Sequence, residues 1–183
     1  MTKAFLNNVH QKLSMLVCED AAEDTIGTLE AIAKMGYEGV EFAGYYGHSA
    51  EDLRRMCDDL GLRVIGTPSG LDTLLGDQLP ATIEYNQRLG NKYLIVPGLS
   101  RERTSTTSAW LETAKIFDEI AGQVAEHEMQ TGYHNHSTEF KKMDGEYPWD
   151  IFKYNEAYIR SEYLQGNRLG IIKGELKPFT IIY

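Results

Sequence analysis

No apolar run in this chain of 183 residues approaches the roughly 20 that a membrane helix needs; the longest are of the order of Tyr93–Val96. Cysteine is scarce. Cys18 and Cys57 stand alone, without CxxC spacing, which argues against a disulfide framework and a structural zinc site. Basic charge is also short: 18 Lys and Arg face 27 Asp and Glu, a net charge of −9. A polyanion is repelled on average by such a surface, and no Lys/Arg stripe breaks the pattern, so nucleic acid is not an expected partner. The first residues hold Lys3 and Lys12 but neither a continuous apolar stretch nor an A-x-A signal. The expectation is a cytoplasmic protein with no membrane partner.

What is present is an ordinary globular composition, 42% hydrophobic and 25% charged, with a repeated rhythm. From Leu13 to His136 short apolar runs alternate with amphipathic segments. Strands are expected at Leu13–Cys18, Gly39–Ala43, Arg63–Gly66, Tyr93–Val96 and Thr131–His136. Helices are expected at Asp24–Met35, Ala50–Leu60, Asp77–Leu89 and Ser105–His127. Gly36, Gly61 and Gly90 serve as helix stops, Ser49 is a natural N-cap, and Pro80 falls in a first turn where its missing N–H costs little.

Strands alternating with helices point to βαβ units and a parallel sheet. A doubly wound nucleotide-binding sheet would carry a glycine-rich turn after its first strand. Here that turn is Glu19-Asp20-Ala21-Ala22-Glu23-Asp24, acidic and without glycine. The expected class is therefore α/β of the (β/α)8 TIM-barrel type, incomplete, with about five βα units where a full barrel takes about 250 residues. The units occupy residues 1–151. Residues 152–183 break the rhythm, with five basic residues against three acidic and four of the eleven tyrosines. They read as a divergent C-terminal appendage with a short helix at Ala157–Tyr163 and a strand at Phe179–Tyr183.

Chemistry concentrates in Gly132-Tyr133-His134-Asn135-His136-Ser137-Thr138-Glu139-Phe140. On a strand, residues two apart share a face, so His134 and His136 would project together, with the Glu139 carboxylate three residues on. Such a set can chelate zinc, manganese, iron or nickel; it can equally be a hydrogen-bonded pair in a polar interior. Glu41 points away from the face shared by Val40 and Phe42. A buried carboxylate there must be paired or put to use, as an ion pair, a metal ligand or a general base. His48 lies on the loop after the second strand, where it could touch substrate or remain solvated. Trp110, Trp149 and Cys57 read as packing residues.

The segments Lys34-Met35-Gly36-Tyr37-Glu38-Gly39-Val40-Glu41-Phe42, Gly70-Leu71-Asp72 and Tyr133-His134-Asn135-His136 with Glu139-Phe140 resemble the sugar phosphate isomerase/epimerase family. These are xylose isomerase-like TIM barrels, in a superfamily with hydroxypyruvate isomerases and endonuclease IV. The resemblance runs from about Glu19 to Ile151. It implies a divalent metal (Mn, Zn, Mg or Co) at the C-terminal mouth of the barrel and a sugar or sugar phosphate substrate. The implied reaction is proton transfer alpha to a carbonyl through an enediolate. His134 matches the position where many relatives place their first glutamate ligand, His136 matches a family histidine, and Glu41 matches a family acidic residue.

By the same resemblance His134 and His136 would hold metal and Glu41 or Glu139 would be the base; His48, from its loop position, and Asn135, between the two histidines, are the expected substrate contacts. The chain departs from the pattern near Pro68, where relatives often carry a histidine, and in Phe152–Tyr183, which holds no counterpart of the later ligands. Two other readings stand beside the isomerase: a non-catalytic remnant or binding module of the same fold, and a nuclease like endonuclease IV. An open half-barrel exposes strand edges, so a homo-oligomer is expected.

Overall fold

The structure, a computed structural model, describes residues 13–16 and 19–154. The expected helix at Ala157–Tyr163 and strand at Phe179–Tyr183 lie outside the described residues, as do Val17 and Cys18 of the first expected strand. The chain divides into two compact units. Among the described residues the first unit holds residues up to 68 together with 84–92, and the second holds 69–83 and 93–154.

In the first unit three strands run parallel in the order β1 (Leu13–Leu16), β2 (Gly39–Phe42) and β3 (Arg63–Pro68). Parallel neighbours cannot be joined by a tight turn, and helices supply the crossovers: α2 (Thr25–Lys34) between β1 and β2, and α3 (Ala50–Asp59) between β2 and β3. Both helices start on side-chain caps. Asp24 Oδ1 accepts from Gly27 N at 2.9 Å and Ser49 Oγ from Asp52 N at 3.1 Å. Val40 and Phe42, on one face of β2, pack with Leu29, Ile32, Leu53 and Cys57 into the core. The acidic stretch expected as a turn is instead a short helix, α1 (Glu19–Glu23), because its Ala21 is buried in that core.

In the second unit β4 (Tyr93–Val96) pairs in parallel with β5 (Gln130–Tyr133), and the long helix α6 (Thr107–Ala125) connects them after the short α5 (Arg101–Thr104). Thr106 caps α6 by accepting from Ala109 N at 3.1 Å. Leu94, Val96 and Tyr133 pack with Trp110, Phe117 and Ile120 of α6 and Phe152 of α7 (Pro148–Tyr154). Four of these rings, Trp110, Phe117, Tyr133 and Phe152, meet mostly edge to face at centroid distances of 5.0–6.4 Å. Helix α7 runs through the boundary expected at residues 151 and 152.

Helix α4 (Leu79–Leu89) passes from one unit to the other along the chain. It is preceded by two 3₁₀ turns, Leu71–Leu74 and Gly76–Gln78, so the helix expected from Asp77 begins as 3₁₀ and becomes α only at Leu79.

Candidate functional site

In the second unit the site begins where the β4–β5 ladder stops. Val96 pairs with Tyr133, and His134 N still donates to Val96 O at 2.9 Å. β4 itself ends at Val96, before Pro97-Gly98, so the strand expected to reach His136 loses its β4 partner there and ends at Tyr133. His134 is half-buried, Asn135 is buried and His136 is exposed, on the loop beyond the strand.

The two imidazoles nonetheless come together, with ring centres 5.0 Å apart and planes at 59°. An ion bound through a ring nitrogen at about 2.0–2.1 Å lies about 3.2 Å from the ring centre, so two rings on one tetrahedral ion sit about 5 Å apart. The spacing fits a shared divalent cation. Among the described residues no three His, Cys, Asp or Glu side chains form a group that could hold one. Two imidazoles on one cation would be one donor fewer than the usual catalytic zinc site has.

Glu139 sits in a 3₁₀ turn, Thr138–Phe140, and is only 2% exposed. Its Oε1 accepts from the Tyr133 hydroxyl at 2.6 Å and its Oε2 from His136 N at 2.7 Å. Burial, and then the bond to this carboxylate, push the Tyr133 phenol far above its usual range, so Tyr133 stays a donor.

In the first unit Glu41 is 5% exposed on β2, on the face opposite Val40 and Phe42. A register shift between Val40 and Glu41 pairs Val40 with Val64 but Glu41 with Gly66, leaving Ile65 without a partner across the ladder. Gly66 gives the carboxylate its room: a Cβ there would lie 3.1 Å from Glu41 Cγ, Cδ and Oε2. His48, half-buried on the loop after β2, places Nε2 3.1 Å from Thr25 Oγ1, and its carbonyl accepts from the Tyr85 hydroxyl at 2.9 Å. Burial, then the neighbouring Tyr45 and Glu51, push the Tyr85 phenol up to about 12.

Trp110 and Cys57 are buried packing residues, as expected, and Trp149 packs against Phe140. Sequence reasoning missed Tyr133 as the partner of Glu139 and Gly66 as the opening for Glu41. An isolated glycine within a strand was the available signal for the second, since it marks a bulge or a close approach. It also missed the buried Thr67, Asn86 and Asn91. Thr67 Oγ1 donates to Asn86 Oδ1 at 2.8 Å, and Asn91 Nδ2 reaches both residues at 3.1 and 2.9 Å.

A family model described as xylose isomerase-like TIM barrel matches residues 29–154. The chain belongs to this family. The match takes in Glu41, His48 and the whole His134–Glu139 segment, and the five described strands are βα units of the (β/α)-barrel fold.

Solved structures carry the same fold. A sugar phosphate isomerase/epimerase from Parabacteroides distasonis is similar with a TM-score of 0.66 at 22% identity, over 83% of this chain and 65% of that one. A family 2 AP endonuclease from Brucella melitensis gives 0.60 at 16%, over 83% and 67%. A xylose isomerase domain containing protein from Salmonella typhimurium gives 0.61 at 9%, over 84% and 61%. The chain thus spans about two thirds of the length of these relatives. No curated protein matches it. Among the described residues no helix is long and apolar enough to cross a membrane.

Proposed function

We propose that this member of the xylose isomerase-like family is a sugar or sugar phosphate isomerase or epimerase that uses a divalent metal, Mn, Zn, Mg or Co. The observation that carries the reading is the 5.0 Å spacing of the His134 and His136 rings beyond the end of β5. A cation held there would supply Lewis acidity toward neighbouring sugar oxygens. Asn135, buried between the two histidines in sequence, is the residue of that loop proposed to bind substrate. In the first unit Glu41 is proposed as the base that takes the proton alpha to the carbonyl, with burial keeping bulk water from it. His48 is proposed as a substrate contact, its ring held by Thr25.

The proposed partner is a small sugar, not a nucleic acid or a membrane, in a cytoplasmic homo-oligomer closed through strand edges. The test is deuterium exchange. Aldoses, ketoses and their phosphates are incubated in heavy water with Mn²⁺- or Co²⁺-loaded protein, and NMR follows the proton next to the carbonyl. The expected result is exchange with at least one sugar, reduced about 10²–10⁴-fold in Glu41→Gln. If no sugar exchanges, the catalytic reading falls. A second reading then takes its place, a non-catalytic binding module of the same fold, which the two-donor metal set favours.

A further inference from the structure

The Glu139 carboxylate is buried, yet it faces neither Lys nor Arg in any ion pair among the described residues. Its two oxygens go to two donors of different kinds. One is the Tyr133 hydroxyl, whose ring is wedged among Trp110, Phe117 and Phe152; the other is the His136 backbone N–H. The second bond reaches back three residues, as the glutamate of a helix capping box does. Tyr133 and His134 are neighbours on alternating sides of the chain, so the aromatic core grips one while the ring of the other meets that of His136. The carboxylate is a staple from the rigid core to the backbone of the loop that carries both imidazoles.

We infer that Glu139 and Tyr133 are positioning residues: they hold the His136 backbone so that the two imidazoles stay at chelating distance, and Glu139 is neither base nor ligand. Both oxygens already accept a charge-assisted bond, at 2.6 and 2.7 Å, the group is only 2% exposed, and among the described residues it forms no three-donor group with the two histidines. Glutamine separates the two roles. Its carbonyl can accept from His136 N while its amide donates to the tyrosine oxygen, so the staple survives, whereas a base or anionic ligand does not.

The experiment titrates the full chain and its Glu139→Gln, Glu139→Ala and Tyr133→Phe variants with Co²⁺, and measures His136 amide exchange and the ring ¹⁵N shifts of both histidines by NMR. Glu139→Gln is expected to bind Co²⁺ within about threefold of the parent, and Glu139→Ala to lose about 10–100-fold, the scale on which groups that orient metal ligands act. The His136 amide is expected to exchange about tenfold faster or more in Glu139→Ala, the scale of a lost charge-assisted hydrogen bond, with Tyr133→Phe between. If Glu139→Gln loses Co²⁺ as severely as Glu139→Ala while its His136 amide stays slow, Glu139 is a ligand and the inference is overturned.

The affinity arm rests on the metal reading of the histidine pair; the NMR arm does not. Should the parent bind no Co²⁺, that reading alone fails, and the ring shifts decide. Shifts altered in Glu139→Ala but kept in Glu139→Gln support positioning; shifts unaltered in both overturn it. If Glu139→Ala does not fold, Tyr133→Phe takes its place in each comparison.

Discussion

Gly66 stands opposite Glu41 across the β2–β3 ladder, and the carboxylate occupies the space that any side chain at Gly66 would need. The relationship depends on the register shift at Val40 and Glu41, which skips Ile65 and brings the glycine level with the acid.

Gly66→Ala is therefore expected to displace Glu41 by a few tenths of an ångström and to destabilise the fold by about 1–3 kcal/mol, the range for overpacking. Gly70→Ala, with nothing within 4 Å of its Cβ, is the control and is expected to be silent. Urea unfolding measures both. In a double-mutant cycle with Glu41→Ala the cost at Gly66 should shrink. Equal costs in the two backgrounds would mean that Glu41 does not fill this space.

The buried amides on α4 and at Asn91 make a second prediction. Asn86→Ala removes the acceptor shared by Thr67 and Asn91 and the donor to Tyr45 Oη, so buried polar groups lose partners. The expected loss is about 1–3 kcal/mol in a urea titration. A loss below about 0.5 kcal/mol, typical of surface substitutions, would contradict the network's role.

Burial, and then Asp58, push the Cys57 thiol up to about 12 from an ordinary value of 9.0. Between these values the unfolded chain gives up a proton that the folded chain retains, so stability is full below about pH 9 and falls as the pH rises. Tyr85 adds to the same alkaline loss. In a Cys18→Ser background, Cys57 is expected to resist thiol reagents at pH 8 until urea unfolds the chain. Labelling at the rate of a free thiol in the native state would contradict its burial.

Much of the fold could be read from the chain because local signals agreed. Tyr93–Val96 is a strand to the residue, and Ser49 caps its helix, since an apolar run between turn signals and a serine three residues before an acid need no distant partner. The misses came from tertiary effects. Strand β3 extends past Gly66 to Pro68 because Thr67 finds Asn86 and Asn91, which are 19 and 24 residues away. Strand β5 stops at Tyr133 because its neighbour β4 ends at Val96, a limit written on the other strand. The site was legible as residue types: the histidine pair and Glu41 stand out by sequence. The engagement of Glu139 by Tyr133 was not, because a tyrosine in an apolar run reads as core and its hydroxyl's partner depends on how the following loop turns.

The most direct test of the account is the metal content of untagged protein, purified without chelator and measured by mass spectrometry before and after incubation with Mn²⁺, Zn²⁺ and Co²⁺. The account predicts a divalent cation on the parent chain near stoichiometry (about one per chain), lost in His134→Ala and in His136→Ala, as expected where two imidazoles are the protein donors. A parent chain that remains metal-free at saturating cation, or a His134→Ala variant that keeps its metal, would contradict it.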